Sequence, residues 1–438
     1  NGFHFWNLSV TGTYTQENSP SNQPWIVGID GPSLNVSGSF IQSHTHNTAI
    51  DMRNAASTIT NTGTLEFNRL LIDNPGVGTR VCSTSSDFNI YLLLQVVNAT
   101  STFQATGGTI TFNGTAGSIT PTANYSATTG VRFNNLSVTG TATFSGDVNT
   151  AIFGNLNVTG SLTPANDANG TLTFYGGTNK TITNSGTLRL VNLTVNNTAL
   201  NNVTTASDFS LTENLTVGGA NGGTFVATAG TVSFVGGGTG DQMLQNDAST
   251  AAALTLFNVT HSHATNTLDL AGSMKEIYIK GSITNSLAGK INFDALANGK
   301  VYLNGTTEQG ITVSTTGAIE FDNLDISNAA GVKLYGDIAA SELLIMETLR
   351  MNNGDIDLNG NNILTIDPAG KLQETPGNVV KNSGAASSTG NVQITVAGGA
   401  ALQNENVGGL GMQITTAVAP GSTTIKRYHI AQALGGAS

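Results

Sequence analysis

Apolar and small polar residues alternate in many short runs along the chain. The clearest run extends from Phe133 to Val138, and it contains Asn135 directly before Leu136. Close copies occur at residues 5–10, 153–158, 190–195, 214–217 and 321–326. A period of two residues predicts β-strand. One such strand cannot bury its apolar face alone, so copies must stack on one another, which favours a solenoid of repeated turns.

A second pattern precedes the first. It consists of Gly, a small residue, an aliphatic residue, any residue, and then Phe or Leu, as at 63–67, 108–112 and 170–174. At 186–195 and 317–326 it continues directly into the first pattern. Residues 102–112 also match residues 224–234 almost position for position. The chain therefore contains a true internal repeat.

The spacing of the copies predicts the length of one turn. Leu136 recurs as Leu156, and Leu193 recurs as Leu215, at intervals that suit one turn of a solenoid. An even spacing also separates the members of two further series, Leu324, Leu344 and Leu364, and Ile326, Met346 and Ile366. We therefore expect an all-β fold, a parallel β-solenoid (β-helix) with about 20–22 residues per turn. The usual chirality of strand connections predicts a right-handed coil.

The regularity changes along the chain. Residues 1–62 are predicted to form irregular turns with a loop excursion, because prolines cluster near Trp25. Residues 63–370 follow the repeat, and 338–349 are predicted as strand despite a helical composition. Residues 371–438 have a different spacing, with Pro376 and several glycines, and are predicted as a distinct C-terminal β segment. This segment is either a cap or the start of a further domain.

Composition narrows the class of protein. Only 10% of the 438 residues are charged, whereas about a quarter is typical of globular domains. The net charge of −11 argues against nucleic-acid binding, which needs a basic surface. No apolar run is long enough to span a bilayer. The lone Cys82 excludes an internal disulfide framework and is expected to be inert. Both ends read as cuts through a longer chain.

A recurring Asn precedes the central Leu of the repeat. Asn tolerates the left-handed backbone of a tight corner. Stacked over successive turns, these residues are expected to form a structural ladder of amide hydrogen bonds. The ladder residues are Asn135, Asn155, Asn192, Asn214, Asn258 and Asn323.

Two His-x-His pairs are the first candidates for chemistry. They are His44 with His46, and His261 with His263. On a strand the two histidines share a face, so a pair can chelate zinc if a third ligand joins it. No cluster of carboxylates or cysteines accompanies either pair, which favours a surface or corner role, although the register puts His261 on the core side. We expect no metal.

Acidic residues supply the remaining candidates. Residues 355–362 have the composition of a calcium loop but lack its spacing and distal Glu, so we expect a solenoid corner, with weak cation binding as the alternative. Glu320, Asp322 and Asp325 alternate around one predicted strand, whereas acid–base catalysis of glycoside cleavage needs two carboxylates across a groove. We therefore expect no catalytic residue and no cofactor.

Residues 317–338 and 354–366 resemble the repeats of large secreted surface proteins of Bacteroidota-type bacteria, which carry strings such as F-N-N-L-T-I and G-x-L-D-L-N-G-N-T-L-T-I. Residues 407–414 and 420–427 are similar to what commonly follows such repeats. The resemblance implies export, often by the type IX route, and a role as an adhesin, stalk or extracellular fibre. It implies no shared catalytic residues.

The expected function is that of a non-enzymatic extracellular protein, a rigid solenoid rod of a cell-surface adhesin, stalk or filament. Neither end of the sequence shows a cap, which makes self-assembly into a fibre an open alternative. The other alternative is a carbohydrate-binding or carbohydrate-active β-helix protein with a surface glycan as partner. Pectin-cleaving enzymes of this architecture carry Asn-Thr-Asp, Asp-Asp, Gly-His-Gly and Arg-Ile-Lys motifs, and none occurs in this sequence.

Overall fold

A computed structural model describes most of the chain. The described ranges are 3–16, 25–44, 48–73, 80–125, 129–145, 148–166, 170–197, 201–218, 223–237, 240–248, 253–274, 276–293, 299–385, 387–396, 401–402 and 405–428. The chain divides into two compact units. The first unit is Asn1–Thr212 with Ala220–Gly223, and the second is Glu213–Gly219 with Thr224–Ser438.

Both units are parallel β-solenoids, as the sequence predicts. In the described part of the chain the two units contain about 14 turns, and about 1% of the structure is helical. Among the described residues, no helix has the length and apolar character needed to cross a membrane.

The described part of the first unit contains 26 strands. They are Phe3–Phe5 (β1), Leu8–Val10 (β2), Thr13–Gln16 (β3), Ile26–Ile29 (β4), Ser33–Val36 (β5), Ser39–Gln42 (β6), Ala49–Met52 (β7), Ala56–Asn61 (β8), Thr64–Ile72 (β9), Arg80–Thr84 (β10), Phe88–Val96 (β11), Ser101–Ala105 (β12), Thr109–Phe112 (β13), Gly117–Thr120 (β14), Gly130–Phe133 (β15), Asn135–Val138 (β16), Thr141–Phe144 (β17), Thr150–Ile152 (β18), Leu156–Val158 (β19), Ser161–Pro164 (β20), Thr171–Gly176 (β21), Lys180–Asn184 (β22), Thr187–Leu190 (β23), Asn192–Asn197 (β24), Asn202–Thr205 (β25) and Phe209–Leu211 (β26).

The described part of the second unit contains 23 strands, of which two form a small separate hairpin. They are Leu215–Val217 (β27), Thr224–Ala227 (β28), Thr231–Val235 (β29), Gln242–Asn246 (β30), Leu254–Leu256 (β31), Asn258–Ser262 (β32), Thr267–Ala271 (β33), Glu276–Ile279 (β34), Ile283–Asn285 (β35), Lys290–Phe293 (β36), Lys300–Leu303 (β37), Gln309–Val313 (β38), Ala318–Ser327 (β39), Val332–Tyr335 (β40), Leu343–Asn353 (β41), Ile356–Asp357 (β42), Ile363–Ile366 (β43), Lys371–Glu374 (β44), Val380–Lys381 (β45), Asn391–Val396 (β46), Glu405–Asn406 (β47), Gln413–Ile414 (β48) and Thr423–Tyr428 (β49). A 3₁₀ turn spans Val407–Gly409.

Most turns of the first unit contribute three short strands, whereas β9 and β11 are nine residues long and each pairs with two strands of a neighbouring turn. In the middle of the unit, β15, β16 and β17 pair in parallel with β18, β19 and β20, so each strand pairs with the strand three positions later in the chain. Apolar residues at matched positions stack into a buried column, Ile110, Leu136, Leu156 and Ile182, each at most 1% exposed. Burial of each such side chain stabilises the unit by roughly 1.5–3 kcal/mol.

Aromatic rings form a chain of contacts through the core of the first unit. Phe67, Phe88, Phe103 and Phe133 follow one another with ring centroids 5.2, 6.4 and 6.1 Å apart. Successive rings are tilted or edge-on, which are the favoured arrangements for aromatic pairs. These rings are not strand partners, because Ile90 is the partner of Phe67 and Val131 that of Phe103, so their contacts run between neighbouring positions of the core.

The second unit has equivalent columns on different strands. Val232, Val259, Ile283, Ile311 and Leu334 occupy matched positions. Another column runs through Ile277, Val301, Leu324, Leu349 and Leu372. All ten side chains are buried.

The length of a turn varies more than the sequence predicts. Leu136 pairs with Leu156, and Leu156 pairs with Ile182 across a longer turn. The corner hydrogen bonds that join the same turns have sequence separations of 20 for Asn135 with Asn155 and 26 for Asn155 with Thr181. The predicted range is too narrow because the corners differ in length while the strands stay in register.

The predicted stack of Leu324, Leu344 and Leu364 is wrong. Leu324 lies beside Leu349, whereas Leu344 is half-exposed between Glu320 and Thr365. The turn between these strands is longer than the predicted spacing, since Leu324 is paired with Leu349 and Leu344 with Glu320, whose side chain lies on the other face of the strand. The series Ile326, Met346 and Ile366 fails for the same reason, since Ile326 pairs with Met351.

The predicted boundaries also differ from the structure. The described strands within 1–62 already form regular parallel turns, because β1 pairs with β4 and β2 with β5. The parallel turns continue past residue 371 through β44, β45 and β46. The distinct C-terminal β segment is confirmed, but the strand direction changes only after Val396, where β49 pairs antiparallel with β46.

Candidate functional site

The predicted ladder asparagines act on the backbone of the next turn. Oδ1 of Asn135 accepts the backbone N–H of Asn155 at 2.8 Å, and Oδ1 of Asn155 accepts the N–H of Thr181 at 2.9 Å. The same contact joins Asn258 to the N–H of Ser282 at 2.8 Å. Each amide therefore ties one corner to the following corner.

The six asparagines do not form one column. Only a corner contact joins Asn135 to Asn155, while the strand partner of Asn192 is Thr171 and that of Asn323 is Lys300. Asn214 accepts the N–H of Met243 at 2.8 Å. These contacts differ from the predicted amide-to-amide ladder, because the side-chain amide oxygen accepts a backbone N–H instead of another amide.

A buried amide ladder does exist at another place. Nε2 of Gln42 donates to Oε1 of Gln16 at 3.1 Å, and Oε1 of Gln42 accepts the backbone N–H of Asn68 at 3.0 Å. All three side chains are at most 5% exposed. This ladder could have been found from the sequence, because Gln16, Gln42 and Asn68 follow one another at separations of 26. It was missed because the predicted turn is shorter than that.

The pair His261 and His263 is split between core and corner. His261 is fully buried and takes the place of an apolar residue between Phe234 and Asn285 in its column. The Nδ1 of His263 accepts the backbone N–H groups of Thr265 at 3.1 Å and Asn266 at 2.9 Å, which shapes the corner. The expectation of a surface or corner role is therefore wrong for His261.

Burial disfavours the charged form of His261. Its Nδ1 lies 3.3 Å from Oδ1 of Asn285, whose Nδ2 donates to the carbonyls of Gly289 and Ala318. The Nδ1 therefore carries the proton, and Nε2 is buried without a hydrogen-bond partner among the described residues. Burial lowers the pKa of His261, the Asn285 hydrogen bond opposes this, and the nearby His263 adds to it.

His44 belongs to a polar cluster on an outer face of the first unit, whereas His46 lies outside the described residues. The imidazole of His44 stacks on Tyr91 with centroids 3.8 Å apart, and its Nε2 contacts Glu66. Oε2 of Glu66 accepts from the amides of Asn89 at 3.2 Å and Asn113 at 3.0 Å. A single carboxylate thus joins side chains from successive turns.

A second outer cluster consists of three rings and a guanidinium, and we call Tyr125, Phe153, Tyr175 and Arg132 the aromatic cluster. Phe153 stacks on Tyr175 at 5.7 Å and meets Tyr125 edge-on at 5.9 Å. Cζ of Arg132 lies 3.6 Å from the centroid of the Phe153 ring. All four side chains are half-exposed. Sequence reasoning missed the cluster because its members come from successive turns of unequal length.

Residues 355–362 contain the short strand β42 and the corner that follows it, and their carboxylates are already occupied. Asp355 forms an ion pair with Nζ of Lys381 at 2.8 Å. Oδ1 of Asp357 accepts the backbone N–H groups of Asn359 and Ser383, and its Oδ2 accepts the Ser383 hydroxyl. Although burial alone raises the pKa of Asp357, these hydrogen bonds lower it below its ordinary value. The backbone turns at Asn359, where φ is +48°.

The three carboxylates on β39 do not face a shared groove. Glu320 is paired with Lys290 at 2.5 Å. Both carboxylate oxygens of Asp325 accept from Nδ2 of Asn352 at 2.7 Å, and its Oδ2 lies 4.0 Å from Nζ of Lys300. Asp322 is buried on the same strand, 2% exposed. Within the described ranges, no three His, Cys, Asp or Glu side chains come together in a way that could hold a metal ion.

Two further buried polar groups are notable. The thiol of Cys82 is fully buried, and burial raises its pKa to about 12, although a hydrogen bond with Ser57 acts in the opposite direction. Lys180 is 1% exposed and its Nζ donates to the carbonyl of Thr178 at 2.6 Å. Burial lowers the pKa of Lys180. Neither group has the access to solvent that a reactive side chain needs.

No protein-family model matches this chain, no curated protein matches it, and no solved structure matches it.

Proposed function

We propose that the chain is a non-enzymatic structural protein, a β-solenoid segment of an extracellular adhesin, stalk or filament. The observation that supports this proposal is that polar side chains form hydrogen bonds between adjacent turns. Asn258, Gln42 and Asp357 each direct their hydrogen bonds to the backbone or side chains of an adjacent turn. Such bonds hold turns together and leave little polar chemistry facing a substrate.

The state of the acidic residues supports the same proposal. Glycoside cleavage needs two carboxylates about 5–10 Å apart across an open cleft. Glu320 and Asp325 are instead paired with lysines and amides of neighbouring turns. Export and a cell-surface location follow from the resemblance of residues 317–338 and 354–366 to secreted repeat proteins, and they belong to the proposal.

Two measurements test the structural role. Immunogold labelling of source cells should place the chain outside the cell, in stalks or filaments. Incubation with a panel of polysaccharides should release no reducing ends from any of them. The matched variants Glu320→Gln and Asp325→Asn serve as controls, because hydrolysis that the wild type performs and either variant loses would refute the non-enzymatic role.

The aromatic cluster favours a second candidate function, the binding of neutral glycans. Half-exposed tyrosines present an apolar face next to a polar hydroxyl, and exposed apolar patches often mark binding sites. Arg132 adds hydrogen-bond donors for sugar hydroxyl groups beside these rings. A glycan array followed by titration calorimetry tests this function.

The variant Tyr175→Ala should weaken any glycan binding at least about tenfold, as expected when a contact residue of a binding site is truncated. The variant Tyr91→Ala is the matched control, because Tyr91 is also a half-exposed ring on the first unit but stacks on His44 outside the aromatic cluster. Equal binding by both variants would exclude the aromatic cluster as the site.

A further inference from the structure

The last parallel turn of the second unit has two strands, β44 and β46, that the following chain covers. In the described parallel turns before it, the free edges of the strands pair with the strands of the next turn. Here β49 turns back and pairs antiparallel with β46 over six residues, from Asn391 with Tyr428 to Val396 with Thr423. The edge of β46 that a further parallel turn would use is therefore occupied.

The segment before β49 covers the apolar interior of the same turn. Leu410 is only 2% exposed, in a stretch that is otherwise mostly exposed. The 3₁₀ turn brings the backbone close to the core: a Cβ placed on Gly409 would lie 2.1 Å from the carbonyl oxygen of Leu372, and one on Gly408 would lie 2.7 Å from Cδ1 of Ile394. Leu372 and Ile394 are themselves buried core residues of β44 and β46.

An ion pair fastens this segment to the solenoid. Nη1 and Nη2 of Arg427, on β49, donate to the two carboxylate oxygens of Glu374, on β44, at 2.9 and 2.5 Å. Nη1 also lies 3.4 Å from the carbonyl oxygen of Leu410. Such a two-pronged contact is geometrically specific as well as strong. One side chain thereby connects β49, the Leu410 turn and the last parallel turn.

We propose that the described residues between 402 and 428, which we call the end cap, close this end of the second unit against strand addition by another copy of the chain. A parallel turn offers rows of backbone N–H and C=O groups on its strand edges, and such edges pair with any matching strand. The best-matched strand is a turn of a second copy, because its columns have the same spacing and the same apolar interior. This inference holds for a stalk and for a glycan-binding protein alike, since it concerns only which end can grow.

The outer edge of β49 does not offer a new site for strand addition in place of the β46 edge that it covers. Lys426 and Arg427 lie next to each other on β49, and Lys426 is exposed. Charged side chains, lysine above all, are a common means of blocking edge strands. The edge that remains free belongs to β49, which is antiparallel and charged, and it does not match the parallel strands of a further turn.

Two glycines allow a matched test. Gly409 and Gly421 both have left-handed backbone, with φ of +69° and +71°, so alanine introduces the same backbone strain at each. Only at Gly409 does the added Cβ meet the solenoid, because nothing lies within 4 Å of it at Gly421. Gly409→Ala therefore displaces the end cap, and Gly421→Ala is its control. Arg427→Glu, which places a like charge opposite Glu374, is a second and independent way to release the cap.

The full-length chain carrying each change is compared with the wild type by hydrogen exchange of the β46 amides and by light scattering over a range of concentrations. In Gly409→Ala and Arg427→Glu we expect β46 amides to exchange at least about tenfold faster when the protein is dilute, as for a strand that has lost its partner. At high concentration the same amides should regain protection while the mass rises to that of dimers or larger assemblies. Wild type and Gly421→Ala should show neither change.

Three results would overturn the inference. The first is fast exchange at β46 in both variants without any gain in mass, because an uncovered edge would then not recruit another copy. The second is self-association in which β46 stays unprotected, which would place the contact elsewhere. The third is unchanged exchange in both variants, since the contacts of Gly409 and Arg427 would then not hold the end cap in place.

Discussion

Replacement of His261 by Phe should remove a pH-dependent weakness from the core of the second unit. His261 occupies a column that continues from Phe234, so a phenyl ring suits the position. The neighbours of the imidazole are Asn285, which accepts from it, the ring of His263 with its centroid 6.5 Å away, and the backbone of Gly289. Among them only His263 is titratable, and it disfavours a second positive charge.

The magnitude follows from proton linkage. Burial lowers the pKa of His261 in the folded state, so below the ordinary pKa of about 6.5 the unfolded chain binds a proton that the folded chain does not. Folding stability is therefore complete above about pH 6.5 and declines as the pH falls towards the lowered pKa. The decline is up to about 1.4 kcal/mol for each pH unit in that window.

His261→Phe should abolish this slope while changing stability at pH 8 by less than about 3 kcal/mol, because it removes the donor to Oδ1 of Asn285 but adds apolar burial. Urea unfolding followed by circular dichroism between pH 5 and pH 8 measures both quantities. His4→Phe is the control, since His4 is exposed in the first unit. The reasoning would be refuted by wild type and His261→Phe losing the same stability between pH 7 and pH 5.

Four other outcomes are expected from the buried polar groups. Cys82 should not react with a thiol reagent in the folded protein at pH 8 and should react fully in urea, because its thiol is buried with a pKa raised to about 12. Gln42→Ala should lower the free energy of unfolding of the first unit by about 2–4 kcal/mol, since it deletes buried volume and removes the hydrogen bonds to Gln16 and Asn68. Lys180→Gln should keep or raise the melting temperature, because a neutral amide still reaches the Thr178 carbonyl without burying a charge. Asp357→Ala should cost about 1–3 kcal/mol at pH 7, and the part of this cost that depends on the carboxylate charge should disappear as the pH falls below the lowered pKa of Asp357, where the wild-type carboxyl is neutral.

Each of these outcomes has its own contrary result. Rapid labelling of the folded thiol would show that Cys82 is accessible. An unchanged unfolding curve for Gln42→Ala would show that the buried amide ladder adds no stability. A drop in melting temperature for Lys180→Gln would assign Lys180 a charge-dependent contact, and a loss for Asp357→Ala that persists at low pH would assign it to packing.

The parallel solenoid could be predicted from sequence because its cause is local and repeated. Alternating residues such as those from Asn135 to Val138 specify a strand, and a strand with one apolar face must stack. The predicted run also included Phe133 and Asn134, which form the end of β15 and the corner before β16. The length of a turn could not be predicted in the same way. It depends on the corners within a turn, as in the turn from Leu156 to Ile182, because extra residues in corners leave no apolar signal.

The errors at single residues have the same origin. Leu344 fits an even spacing with Leu324 and Leu364, yet the actual turn is longer, so Leu349 lies beside Leu324 and Leu344 is paired with Glu320. Its neighbours Leu343 and Ile345 face the core instead. The amides of Asn135 and Asn258 were expected to bond to other ladder amides, but a nearby backbone N–H of the next turn is a closer donor. The aromatic cluster has no sequence signal at all, because its members come together only through the unequal corners.

The unequal corners give this fold a practical property. The turn from Leu156 to Ile182 is longer than the turn from Leu136 to Leu156, and yet the buried column passes through both without interruption. A foreign peptide grafted into such a corner would thus alter the outline of one turn and leave its neighbours intact. Such tolerance makes the chain a natural scaffold for displaying short epitopes at chosen intervals along a repeating support.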